Sequence, residues 1–135
     1  MAASNGLFRK PGDLGVRTGV EGHPNCVISP LLQTGENGSL YSAINLNVIA
    51  PGGATEPHYH MNCPVFDHSH YVISGDLIAT IAGNEQKVGP GTLIYCRSDE
   101  LHSIKNIGTT EAKVLLISAL PAGGTGGKLV FPASK

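Results

Sequence analysis

Five histidines, His58, His60, His68, His70 and His102, hold most of the chemistry open to this chain of 135 residues. Neutral imidazole is the commonest metal ligand at physiological pH. His58 and His60 form one H-x-H pair, and His68 and His70 form a second. Residues two apart on an extended strand point to the same face, so each pair can aim both rings at one point. The spacing predicts one transition-metal ion held inside a small β-barrel.

The elements that must position these rings are short strands. With Gly 18 and Pro 9, the chain is rich in tight turns, and apolar β-branched runs alternate with turn signals throughout. Cys26 to Gln33 reads as a strand at an edge or bent, because Pro30 interrupts it. Leu40 to Ala50 reads as a longer strand with Leu40, Ser42, Ile44, Leu46 and Val48 on one face, closed by the turn Pro51-Gly52-Gly53. His58 to His60 begins a short strand, and Met61 to Asp67, carrying Pro64, is expected to loop over the mouth of the site. His68 to Ser74, Leu77 to Ala82, Gln86 to Val88, Thr92 to Cys96, Leu101 to Ile107 and Ala112 to Leu120 follow as strands. Gly75-Asp76 and Gly83-Asn84 are the turns expected among them. Gly123, Gly124, Gly126 and Gly127 make a flexible segment, after which Leu129 to Phe131 forms an edge strand or packs on a partner. About ten short strands imply a sandwich or a barrel, and periodicity does not choose between them.

Composition bounds the partners. Lys+Arg 9 against Asp+Glu 10 gives a formal net charge of −1, and no cationic footprint for nucleic acid stands out. Apolar runs such as Val114 to Leu120 are of strand length, so no membrane span is expected. The first residues lack the pattern of a signal peptide, and a cytoplasmic location is the expectation. Cys26, Cys63 and Cys96 are too few for a disulfide framework and read as thiols packed like small hydrophobes. Cys63, three residues after His60, is the one cysteine placed to share a zinc with it.

At the histidines the chain resembles the cupin family, whose first motif is G-x5-H-x-H-x(3,4)-E-x6-G. Gly52 and Gly53 lead here to His58-Tyr59-His60, and His68 stands in the glutamate position ahead of Gly75, after a longer spacer. The second motif, G-x5-P-x-G-x2-H-x3-N, is matched by Gly89-Pro90-Gly91 and by His102-Ser103-Ile104-Lys105-Asn106. The P-x-G directly before the histidine is replaced by Arg97 to Leu101. The resemblance implies an all-β double-stranded β-helix, or jelly-roll barrel. It implies a single domain over residues 1–135, with the barrel at about 25–120 between N- and C-terminal arms.

Carried over position by position, His58, His60, His68 and His102 are the implied metal ligands. A glutamate at His68 would lower the charge of the complex, whereas histidine keeps the full charge of the ion and makes it the stronger Lewis acid. His68 is thus either a ligand or a neighbour of the metal. His70 projects to the same side and is the expected catalytic residue, as a general base. It is alternatively the fourth ligand, a hydrogen-bonding partner of one, or a buried histidine tied to backbone. Asn106 reads as structural. Asp67 reads as a solvated loop residue or as a partner of a ligand histidine, and Tyr59 and Tyr71 should face away from the metal. His23, beside Pro24 in a polar segment, is expected to be exposed.

The implied cofactor is one divalent transition metal: Fe, Zn, Ni, Mn or Cu. All-histidine cupin sites resemble those of diketone-, thiol- and quercetin-type dioxygenases, and a dioxygenase acting on a small enolisable or phenolic substrate is the leading expectation. A non-redox cyclase, isomerase or lyase like the cupin-type polyketide cyclases is the alternative, and a non-catalytic small-molecule-binding barrel is the third. A pocket lined by Ile44, Leu46, Val48, Ile78, Ile94 or Ile104 would suit such a substrate. A homodimer is expected, with Leu7 to Thr18 and Leu129 to Phe131 as the pairing pieces.

Overall fold

The computed structural model describes residues 6–36, 41–120 and 124–132. Ten strands are present among them: β1 Cys26–Leu32, β2 Ser42–Ile49, β3 Ala54–Met61, β4 Asp67–Ser74, β5 Leu77–Ile81, β6 Asn84–Val88, β7 Leu93–Arg97, β8 His102–Asn106, β9 Ala112–Ala119 and β10 Lys128–Val130. They form two five-stranded antiparallel sheets, ordered β1-β2-β9-β4-β7 and β10-β3-β8-β5-β6. The pairs β5–β6, β4–β7, β3–β8 and β2–β9 nest inside one another. That is a long antiparallel ribbon, closed by one hairpin and rolled so that successive pairs fall in opposite sheets. The all-β jelly-roll expectation is therefore met.

Local chemistry explains most of the departures from the expected boundaries. The β5–β6 hairpin turns at Ala82-Gly83, one residue earlier than expected, since Ile81 pairs with Asn84. Both turn residues have positive φ, at 48° and 86°, the backbone whose twist matches the flanking strands. Pro30 does bend its strand: β1 is an edge, and its register slips between Pro30 and Leu32. Strand β3 is longer than expected, because a bulge between Thr55 and His58 absorbs Pro57 without ending the pairing. Leu129 and Val130 add an edge strand on β3 of the same chain. Leu40 and Gly123 lie outside the described residues.

The inward face of β2 is the reverse of the one expected. Asn47 and Ile49 are buried and Asn45 lines the interior, while Ile44, Leu46 and Val48 point to the outer side of the sheet. Alternation is strict, so a one-residue choice of register inverts every side chain. The apolar core (Cys26, Ile28, Ile49, Val72, Leu77, Ala79, Ile94, Ile104, Ala112 and Val114) fills one end of the barrel. Along β4 the inward residues run His68, His70, Val72, all buried, so the strand passes from the chemical end into the apolar end.

Two motif residues secure that core. Asn106 donates from Nδ2 to the Ile49 and Thr110 carbonyls, at 2.9 Å each, and accepts the Gly108 N–H at 2.9 Å. Gly75 turns at φ +103°, and a Cβ there would meet the Cβ of Ala112 at 2.5 Å. Gly75→Ala should therefore cost about 1–3 kcal/mol, read as a lower urea midpoint with an unchanged slope. A midpoint within error of wild type would show that the turn relaxes freely.

Candidate metal centre

Strands β3 and β8 bring three histidines together. His58 and His102 are directly opposed in the ladder, with ring centroids 4.3 Å apart. The His60 ring stacks on that of His102 at 5.5 Å and lies 5.4 Å from that of His58. One ring nitrogen from each of the three can be chosen so that all lie within 4.8 Å of one another.

The backbone decides which nitrogen faces inward. Nδ1 of His58 lies 2.7 Å from the Glu56 carbonyl, Nδ1 of His102 lies 2.8 Å from that of Glu100, and Nδ1 of His60 lies 2.7 Å from that of Gly126. A carbonyl only accepts, so each Nδ1 carries the proton and each Nε2 keeps a free lone pair. Nε2 of His60 and of His102 is buried with no hydrogen-bond partner. Lone pairs stranded together in this way, with their tautomers fixed from behind, suit a divalent transition metal. The residues present fit the cofactor implied by the resemblance.

His68 stands at the border of this group. Its ring lies 4.8 Å from that of His60 and 4.9 Å from that of His102, and its Nδ1 is 3.1 Å from the Ser118 hydroxyl. His70 lies further along β4, its ring 4.9 Å from that of His68 and 6.2 Å from that of His102. Nδ1 of His70 is buried and has no partner, so the reading as a histidine tied to backbone through that atom does not hold.

Other expectations need correcting. His23 is buried rather than exposed. The segment around it runs beside β3 through bonds from Ala54 N–H to Pro24 O and from Glu56 N–H to Gly22 O, which sets its ring 5.7 Å from that of His58. Asp67 turns outward and accepts the Tyr95 hydroxyl at 2.6 Å, so it supports no ligand. Cys63 lies against the Gly126 carbonyl at 3.6 Å and is outside the three-nitrogen group. Tyr71 is exposed, on the outer face as expected. Burial pushes the Cys26 and Cys96 thiols up to about 11 and about 12, which makes them inert packing groups.

His58, His60, His68 and His70 open onto a cavity of about 580 Å³. Its walls include His23, His70, Asn45, Asn47 and Arg17, and none of the six aliphatic residues expected to line it does so. Phe66, at the end of the loop over the site, sits edge-on to the rings of His60 and His68. Phe131 reaches the His58 ring at 5.3 Å and packs where a Cβ on Gly22 would stand. Sequence reading missed His23, Asn45, Asn47 and both phenylalanines. The alternation Ala43-Ile44-Asn45-Leu46-Asn47 was the available signal for the asparagines.

A family model described as the cupin domain matches residues 45–118. The chain belongs to the cupin family. A search of curated protein sequences finds no match for this cupin. Among solved structures, it is similar to the polyketide cyclase RemF from Streptomyces resistomycificus, with a TM-score of 0.70 and 17% identity over 96% of this chain and 88% of that one. It is also similar to a predicted oxalate decarboxylase from Thermotoga maritima, at TM-score 0.63 and 21% identity over 70% and 80% of the two chains. A third is the cupin domain of an XRE family transcriptional regulator from Enterobacter cloacae, at TM-score 0.61 and 23% identity over 72% and 98%. At these identities the likeness is one of fold. No helix among the described residues is long and apolar enough to cross a membrane.

Burial also controls charge. Desolvation lowers the pKa of His58 and of His70 to about 3; the like charge of neighbouring histidines lowers both further, and the hydrogen bond to the Glu56 carbonyl partly offsets this for His58. Desolvation likewise lowers His60, His68 and His102. All five are neutral ligands or acceptors near pH 7. Below an unfolded value of about 6.5 the unfolded chain binds protons that the folded chain refuses, so stability is full above that pH and falls as pH drops through it. The metal-free cupin should lose up to about 1.4 kcal/mol per pH unit for each of His58 and His70 as acid is added, with further loss in the same direction from the other three. Urea titrations between about pH 7.5 and about pH 5 check this; a flat midpoint across that window contradicts it.

Proposed function

We propose that this cupin is a mononuclear metal-dependent enzyme that moves a proton on a small, oxygenated, enolisable substrate, in a cyclisation or isomerisation without net redox change. The observation that carries the reading is the pair of buried, unpartnered Nε2 atoms on His60 and His102, with a neutral His70 lining the same cavity as His60. His58, His60 and His102 would hold the ion, with His68 next to them as the candidate fourth ligand. A bound divalent ion would polarise substrate oxygens and so acidify the neighbouring C–H, with all of its charge retained because every candidate ligand is neutral.

The chain's own groups do the rest. His70 lines the cavity and its buried Nδ1 has no competing hydrogen bond, so it is the group that would take the proton from the substrate. It is a weak base in the empty cavity, and negative charge developing on substrate oxygens nearby raises its proton affinity as the transfer proceeds. Phe66 and Phe131 pack against the rings of His60 and His58 and help to hold those imidazoles in place. The overall likeness to a polyketide cyclase, over nearly the whole chain, agrees with this chemistry. The dioxygenase reading uses the same centre and is favoured by the all-imidazole surroundings, which also suit redox-active ions.

Solvent-deuterium uptake at the acidic carbon of ethyl acetoacetate separates the two. The metal-loaded protein should accelerate exchange equally with and without O2, and His70→Gln should lower the rate at least about 100-fold while elemental analysis shows unchanged metal content. Oxygen consumption matched to substrate loss would overturn this reading in favour of the dioxygenase. Exchange no faster than in buffer would also overturn it.

A further inference from the structure

Strand β2 turns Asn45 and Asn47 into the barrel ahead of the core residue Ile49. Asn47 is 3% exposed, and its carbonyl Oδ1 has no hydrogen-bond donor. A buried polar atom without a partner is a cost that nothing in the protein offsets, while the apolar Ile44, Leu46 and Val48 face the other way. Asn47 also lines the cavity, so the missing partner has room to come from a ligand.

The ladders fix where this wall stands. His70 and Asn45 both pair with Leu116 of β9, which puts them two inter-strand spacings apart, roughly 10 Å. Asn47 lies two residues along β2 from Asn45 and pairs with Ile28 of β1. Beyond Ile28 comes Arg17, bonded to it through N–H to carbonyl contacts of 2.8 and 2.9 Å in the two directions. The Arg17 side chain is exposed at the cavity wall and has no acidic partner among the described residues. The cavity therefore has a histidine end and, two strands or about 10 Å away, a wall with a buried amide; the unpaired cation stands two strands beyond that amide, its long side chain reaching back to the cavity wall.

We propose that Asn47 and Arg17 form the subsite for the far end of the substrate, and that the substrate is an elongated molecule ending in a carboxylate flanked by a hydroxyl group. Arg17 meets the carboxylate as a fixed, planar donor. The hydroxyl meets Asn47 and, since it both donates and accepts, satisfies the amide whichever way it is turned. This rests on the histidine end being the reacting end.

The probe is 3-(3,4-dihydroxyphenyl)-2-hydroxypropanoate, which carries a metal-chelating catechol at one end and a hydroxy acid at the other. Its methyl ester lacks the charge, and 3-(3,4-dihydroxyphenyl)propanoate lacks the hydroxyl. Calorimetric titration of the zinc-loaded protein should show the hydroxy acid binding tightest. Arg17→Ala should weaken the two acids about 10-fold or more and leave the ester unchanged. Asn47→Leu should abolish the preference for the hydroxylated acid while thermal stability is kept or raised, because an unsatisfied buried group has been removed. A merely structural Asn47 would instead give a lower melting temperature with the preference intact, and that result overturns the proposal. So does equal binding of all three probes by wild type, or no binding at all. Zinc content measured on the same samples reports on the histidine centre separately. A protein that holds no zinc, yet tells acid from ester through Arg17, loses the metal reading and keeps this one.

Discussion

Three hydrogen bonds from imidazole Nδ1 to backbone carbonyls organise this site. Burying a histidine normally leaves two ring nitrogens to satisfy, and the protein resolves only one of them for His58, His60 and His102. Two of those carbonyls belong to residues two positions upstream on the same chain segment, so the strand geometry itself orients the ring. The unsolved nitrogens on His60 and His102 then meet in a region too apolar to protonate them. A metal ion would offset that frustration and a proton would do so poorly, so the same burial that builds the site is expected to make it acid-sensitive.

The third of these carbonyls comes from Gly126, far away in sequence, and this ties the chain's ends to the chemistry. β10 pairs Leu129 with His60, and the same segment offers the Gly126 carbonyl and lays Phe131 beside His58. Gly127 has no room for a side chain, since a Cβ there would stand 2.2 Å from the Met61 carbonyl. On the other side, the segment through Gly22 and His23 runs along the start of β3. The rolled ribbon supplies the histidines, and the two flanking segments finish their surroundings.

Much of this was legible in the residues. Period-two histidine pairs on strands, turn residues at short intervals and the two family motifs gave the barrel, and they named the three histidines that converge. Alternation also told that Tyr71 points away. It failed for β2, where Ile44, Leu46 and Val48 form the more hydrophobic face and the natural choice was to bury them. Strand alternation states that two faces differ but not which is inside, and a barrel whose interior carries histidines and asparagines reverses the usual preference. His23 was lost for another reason: its burial depends on backbone pairing between an irregular segment and β3, which leaves no local pattern.

The central claim is that imidazole nitrogens alone from this chain hold a single ion. X-ray absorption at the metal edge of the zinc-loaded protein tests it most directly. The account predicts a first shell of nitrogen or oxygen scatterers at about 2.0–2.1 Å, with the outer-shell pattern of at least three imidazoles. A sulfur scatterer near about 2.3 Å, or a shell without imidazole features, would contradict it.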